Sequence, residues 1–108
     1  MSPDERALVV LVTAPSAEKA AELGRALVGE RLAACATLVP AVRSIYWWEG
    51  KVQDEGEALL VLKTTRDRFE RLRDRTLALH PYEVPEVIAL PIEAGSAPYL
   101  AWLVRETR

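Results

Sequence analysis

EALLVLK, residues 57–63, carries apolar side chains at odd and even positions alike. In a strand Ala58, Leu60 and Leu62 point one way while Leu59 and Val61 point the other, because successive side chains alternate across a sheet. A strand with one face in water would alternate apolar with polar; a continuous apolar run needs cover on both faces. The same holds for ALVVLV (residues 7–12) and EVIALPI (residues 86–92). Three such runs define a sheet that has to be buried twice.

The segments between them set the topology. After ALVVLVTA, Pro15 ends the strand, Ser16 offers an N-cap oxygen and Glu18 puts negative charge in a first helical turn. Ala20, Leu23 and Leu27 recur at helical spacing, and Gly24 inside that helix requires close packing as its reason. ATLVPAVRSIYWW (residues 36–48) reads as a second strand with a bulge or edge position at Pro40, since proline has no N–H for the ladder. Glu49-Gly50 is a turn, and KVQDEGEALLVLKTT (residues 51–65) returns as a third strand, making a long hairpin. Thr65 is expected to cap a second helix with Phe69, Leu72, Thr76 and Leu79 on its inner face and an Asp67–Arg71 pair outside. That helix should stop at His80, the residue before Pro81. EVIALPI is the fourth strand. A last helix in GSAPYLAWLVRETR should be capped by Ser96, with Pro98 in its first turn and Tyr99, Trp102 and Leu103 inward.

The order is thus βαββαβ plus a C-terminal helix in a single domain over residues 1–108, an α+β, ferredoxin-like split βαβ fold with an antiparallel sheet. Right-handed crossovers place both main helices on one face. The final helix is too short to cover the other, so another copy of the chain is the expected cover. Tyr46, Trp47 and Trp48 near the hairpin tip fit that expectation, because a hairpin extending past its sheet is only marginally stable alone and aromatic residues are enriched where proteins meet.

Composition narrows the function classes. Half of the 108 residues are hydrophobic, 28% are charged, and the net charge is −2 with signs interspersed. No basic stripe of the kind nucleic acids require is visible, and the third strand lacks the stacking aromatics of an RNA-recognition sheet. The apolar runs are too short to span a bilayer, and MSPDER (residues 1–6) does not read as a signal peptide. One cysteine, Cys35, gives neither an internal disulfide nor a two-thiolate soft-metal site, and fits a cytoplasmic setting. Neither a phosphate-cradling glycine loop nor a serine–histidine–aspartate set is discernible, and a single histidine severely limits acid–base schemes.

That histidine lies in HPYEVPE (residues 80–86). His80 with Glu83 and Glu86 has the donor chemistry for a borderline divalent metal such as copper or zinc. The alternative is a histidine closing a helix C-terminus, where its donors meet free carbonyls. Glu86, just before a buried strand, calls for a cationic partner, and Lys63 is the candidate.

ERLAACATLVP, SIYWWEGKVQ, LLVLKTT, HPYEVPEVIALPI and YLAWL occur in the order and spacing of the CutA divalent-cation-tolerance proteins, which the chain resembles from about Leu8 to Leu103. The resemblance implies a compact homotrimer related in architecture to the PII signalling proteins, cytoplasmic, non-enzymatic, and concerned with tolerance of copper and other divalent metals. It implies no obligatory cofactor. Copper-binding relatives match at His80 but carry a cysteine at the position of Val12 and a second histidine at that of Leu79, so this chain keeps one ligand of that set. Matching motifs also single out Trp48, Lys63, Tyr82 and Glu86 as residues of a cleft between subunits. A PII-like small-molecule sensor, and a trimeric scaffold serving another protein, are the competing functional readings.

Overall fold

The computed structural model describes residues 5–108, so most of the MSPDER segment lies outside the described residues. The elements run β1 (Ala7–Ala14), α1 (Ala17–Gly29), β2 (Cys35–Trp48), β3 (Lys51–Thr65), a 3-10 turn (Arg66–Arg68), α2 (Phe69–Leu79), β4 (Val87–Pro91) and α3 (Ala97–Glu106). They form one four-stranded sheet in the order β2-β3-β1-β4, antiparallel at every pairing. This is the ferredoxin-like α+β arrangement that the element order implies.

α1 and α2 cover one face. Val10, Val12, Ala14, Ala58, Leu60 and Leu62 point into it from β1 and β3 and are fully buried against Leu23, Leu27 and Leu72. The Ser16 hydroxyl accepts the Lys19 N–H at 3.1 Å and starts α1 as its residue type suggests. Gly24 has its packing reason: a Cβ there would sit 3.1 Å from Ala36 Cβ and 3.4 Å from Leu60 Cδ1, so the helix rests directly on β2 and β3.

The other face is open over most of its extent. Val9 pairs with Leu90, Leu11 with Ile88 and Val61, and Thr13 with Leu59, which puts all of them on the side away from α1 and α2. Ile88 and Leu90 are half exposed, at 50% and 49%. α3 closes only one end, where Leu103 packs on Ala7 and Ala34.

Beyond Ala58 the ladder narrows to two strands, because β1 ends at Ala14 opposite that residue. The β2–β3 ribbon continues alone to a turn in which Glu49 and Gly50 both have positive φ, 50° and 76°, the geometry that matches the right-handed twist of a two-residue hairpin. The bulge falls at Pro40: Val39 pairs with Leu59 but Val42 with Glu57. The extra residue shifts the parity of β2. On the far side of it Ser44, Tyr46 and Trp48 share the open-face side with Glu55 and Glu57, while Arg43, Ile45 and Trp47 lie opposite.

Four local expectations fail. The Thr65 hydroxyl donates to Asp67 Oδ1 at 2.6 Å instead of capping a helix, and the 3-10 turn intervenes. Asp67, held there and 3.9 Å from Arg108, does not pair with Arg71; the i,i+4 pair is Arg66–Glu70 at 3.1 Å. Ser96 makes no side-chain cap, although Pro98 does sit in the first turn of α3. In α3 Leu103 is fully buried and Trp102 half-buried, whereas Tyr99 is 43% exposed, its hydroxyl 3.6 Å from Cys35 Sγ.

Two substitutions test this account by urea unfolding at fixed protein concentration. Leu60→Ala empties a fully buried core position and should cost about 2–5 kcal/mol. Glu49→Asn places a residue tolerant of positive φ in the hairpin turn and should raise stability by about 0.5–1 kcal/mol; no gain would mean that the turn conformation carries no strain.

Candidate functional site

α2 ends where the sequence places its end. His80 is its C-cap, extended at φ −77° and ψ 138°, and its N–H still reaches the Thr76 carbonyl at 2.9 Å. The imidazole then turns into the fold and is 8% exposed. Nδ1 accepts the Tyr82 N–H at 3.1 Å, which puts the ring proton on Nε2, and Nε2 donates to the Thr13 carbonyl at 2.8 Å. His80 is therefore a clamp between the last residues of β1 and the loop at 81–86. The carbonyl it meets belongs to a strand and not to the helix it terminates, which corrects the expectation of a simple helix-end contact.

The clamp positions Tyr82. Its ring stacks obliquely on His80, centroids 4.7 Å apart, and its hydroxyl donates to Glu57 Oε2 at 2.6 Å. Burial, then the hydrogen bond to Glu57 and the negative charge of that carboxylate, push the Tyr82 phenol well above the usual tyrosine range. Glu57 is itself only 8% exposed. On the same side of the ribbon the Tyr46 hydroxyl donates to Glu55 Oε1 at 3.0 Å, and that hydrogen bond raises the Tyr46 phenol too.

Between the ribbon and the loop lies a cleft of about 680 Å³. Its ribbon wall carries Ser44, Tyr46, Trp48, Glu55 and Glu57, with Ile45 at its rim; its loop wall carries Pro81, Tyr82, Glu83, Val84 and Glu86; Thr13 lies near the end of β1. Among the described residues no Lys or Arg lines it, and none of its four carboxylates pairs with a basic side chain. The cleft opens on the same side as the uncovered sheet face, of which Thr13 is the last residue in β1.

The structure thus brings Trp48, Tyr82, Glu83 and Glu86 to one cleft. It does not gather His80 with Glu83 and Glu86 into a metal-binding group: among the described residues no three His, Cys, Asp or Glu side chains are so arranged. Both His80 nitrogens are already engaged, so the residues of one protomer do not fit a preformed copper or zinc centre. Lys63 is not the partner of Glu86. β1 separates β3 from β4: Lys63 lies opposite Val9, which meets Leu90 on its other side, whereas Val87 lies opposite Val12. The Lys63 Nζ lies 3.8 Å from Cys35 Sγ, and Glu86 is exposed and needs no buried partner.

Sequence reasoning missed Tyr46, Glu55 and Glu57 as members of the site. Glu57 reads as the polar start of an apolar strand, and its partner Tyr82 is 25 residues away. The usable signal was the bulge expected at Pro40, which decides the side that Tyr46 and Trp48 share with Glu57.

A family model described as CutA1 divalent ion tolerance protein matches residues 8–106. The divalent-cation tolerance protein CutA of Thermus thermophilus is 52% identical over 99 residues, covering 92% of this chain and 96% of that one. A solved structure of the divalent cation tolerance protein from the same organism superposes with a TM-score of 0.92 at 51% identity, covering 94% and 99% of the two chains. The chloroplastic CutA 1 protein of Oryza sativa is 48% identical over 101 residues, 94% of this chain but 57% of the plant protein, so the chain spans little more than half of that relative. With its fold, its matched length and its motifs in agreement, the chain belongs to the CutA1 divalent ion tolerance protein family.

Proposed function

We propose that the protein acts in tolerance of divalent metal ions as a non-enzymatic homotrimer in the cytoplasm, with each cleft completed by a neighbouring subunit. The observation that carries this reading is the open sheet face running into the cleft. Val9, Leu11, Leu59, Val61, Ile88 and Leu90 make one apolar surface, and Thr13 joins it to the space between the ribbon and the 81–86 loop. Burying such a face against a sibling returns about 25 cal/mol for each Å² of apolar surface removed from water. The same contact would wall the cleft, where Trp48, Tyr82 and Glu86 lie.

The donors do not favour metal capture by one protomer, so direct metal coordination is no part of this reading. His80 holds the loop; the tolerance role rests on the family relationship. A second reading, a sensor that holds a small molecule between subunits, is favoured by the cleft volume of about 680 Å³, which lies within the range of small-molecule sites.

Growth of a strain lacking the protein, in graded copper, tests the role: loss should sensitise cells, and the wild-type chain should restore growth. Sedimentation equilibrium should give three times the protomer mass, and Ile88→Asp with Leu90→Asp should lower that mass and abolish rescue. A wild-type protomer mass in dilute buffer would end the assembly reading. His80→Ala should cost about 1–3 kcal/mol, from the loss of both ring hydrogen bonds, equally with and without a chelator. A cost that appears only when metal is present would instead make His80 a ligand.

A further inference from the structure

The cleft depends on one histidine held in one protonation state. Nδ1 of His80 accepts the Tyr82 N–H at 3.1 Å and Nε2 donates to the Thr13 carbonyl at 2.8 Å, a pattern that only the neutral ring supplies. Histidine is the side chain whose ordinary titration falls between about pH 5 and pH 8. Its second proton would sit on Nδ1, where it would face the Tyr82 N–H, donor against donor. The Thr13 bond survives that change and the Tyr82 bond does not. Both nitrogens serve the fold, so the ring acts as a latch and not as a metal ligand.

Little else ties the loop down. Pro81 and Pro85 have no N–H, and among the described residues the Tyr82 N–H is the one main-chain donor of residues 81–85 with a hydrogen-bond partner. The charged groups around the ring are few. Residues 7–14 of β1 and 76–79 of α2 carry no titratable side chain. The loop presents Tyr82 and Glu83; β3 presents Glu57, bound by the Tyr82 hydroxyl, and Glu55, bound by Tyr46 of β2. These carboxylates draw a proton toward the ring instead of repelling it, so the contact that yields is the hydrogen bond at Nδ1.

We propose that His80 makes the 81–85 loop an acid-released wall of the cleft: the neutral ring latches it to β1, and protonation at Nδ1 frees it while the sheet stays folded. Tyr82 then loses its placement, and with it the hydroxyl contact to Glu57 that joins loop to ribbon. A proton is taken up on opening, so the latched loop is favoured at neutral pH and lost as the ring charges. This control rests on reading the cleft as the working site, and it requires neither a metal nor a particular number of subunits.

The test is nuclear magnetic resonance of the full-length assembly labelled with heavy nitrogen, with a chelator present, from about pH 8 down to about pH 5. The only histidine gives unambiguous ring signals. They should show the neutral form with its proton on Nε2 at the alkaline end, and then a charged ring. Over the same interval the Tyr82 amide should lose about tenfold or more of its protection from hydrogen exchange, corrected for the intrinsic pH dependence. Amides of the β1–β3 ladder should keep theirs. His80→Gln takes up no proton and should make the Tyr82 protection independent of pH; the wild-type signals keep the test valid should that variant not fold. A ring still neutral at the acid end, or a Tyr82 amide unmoved while the ring charges, would overturn the proposal. So would the same loss in His80→Gln, which would assign it to Glu57 and its neighbours, or a loss shared by the whole ladder, which would be global unfolding. Sedimentation and growth in copper answer separately, so an error about the trimer or the tolerance role stays distinguishable from an error about the latch.

Discussion

A sheet that is apolar on both sides, with helices enough for one, is the constraint on which the rest of the molecule depends. α1 and α2 satisfy the side built from Val10, Val12, Leu60 and Leu62, and their fit is close enough that Gly24 admits no side chain without a neighbour yielding. α3 shields the end of the reverse side where Ala7 meets Leu103. What remains uncovered is the middle and the β4 edge, with Ile88 and Leu90 half in solvent. The chain keeps this surface even though exposed apolar patches favour association, and the cleft begins where that surface stops.

The cleft is held by polar contacts that run across the fold. Thr13 at the end of β1 takes a hydrogen bond from His80, His80 takes one from the backbone of Tyr82, and Tyr82 gives its hydroxyl to Glu57 on the ribbon. This relay joins a strand end, a helix end and a two-stranded extension that would be poorly fixed alone. The only histidine of the chain is spent on it. Its value is positional: the loop is aimed by a side chain whose two nitrogens are both in use.

Much of this was legible in the sequence, where one kind of force dominates. The apolar runs marked β1, β3 and β4, the Ser16 cap marked the start of α1, and Pro40 marked the bulge, since each follows from burial, from a cap hydrogen bond or from a missing N–H. The misreadings are at positions where two nearby partners compete. Thr65 could cap or donate, and Asp67 drew its hydroxyl; Asp67 lies in a 3-10 turn, so its spacing to Arg71 no longer brings the two together. The expected Lys63–Glu86 partnership failed for a topological reason, because β1 inserts between their strands. Of the residues expected in a cleft, Trp48, Tyr82 and Glu86 line one within the protomer and Lys63 does not; Glu83, expected as a metal ligand, lines it too, whereas Glu55 and Glu57 come from sequence that reads as an ordinary strand start.

The single inserted position near Pro40 has a consequence for how this surface can change over generations. Upstream of it odd-numbered β2 residues face the open side; downstream even-numbered ones do. Removing that residue would exchange the two sides of the outer ribbon, turning Tyr46 and Trp48 away and bringing Arg43 and Trp47 to the side of the cleft, which Ile45 already borders. A one-codon deletion there would thus exchange the residues that border the cleft while leaving the pairing from Cys35 to Val39 in place, a change that no single side-chain substitution reproduces.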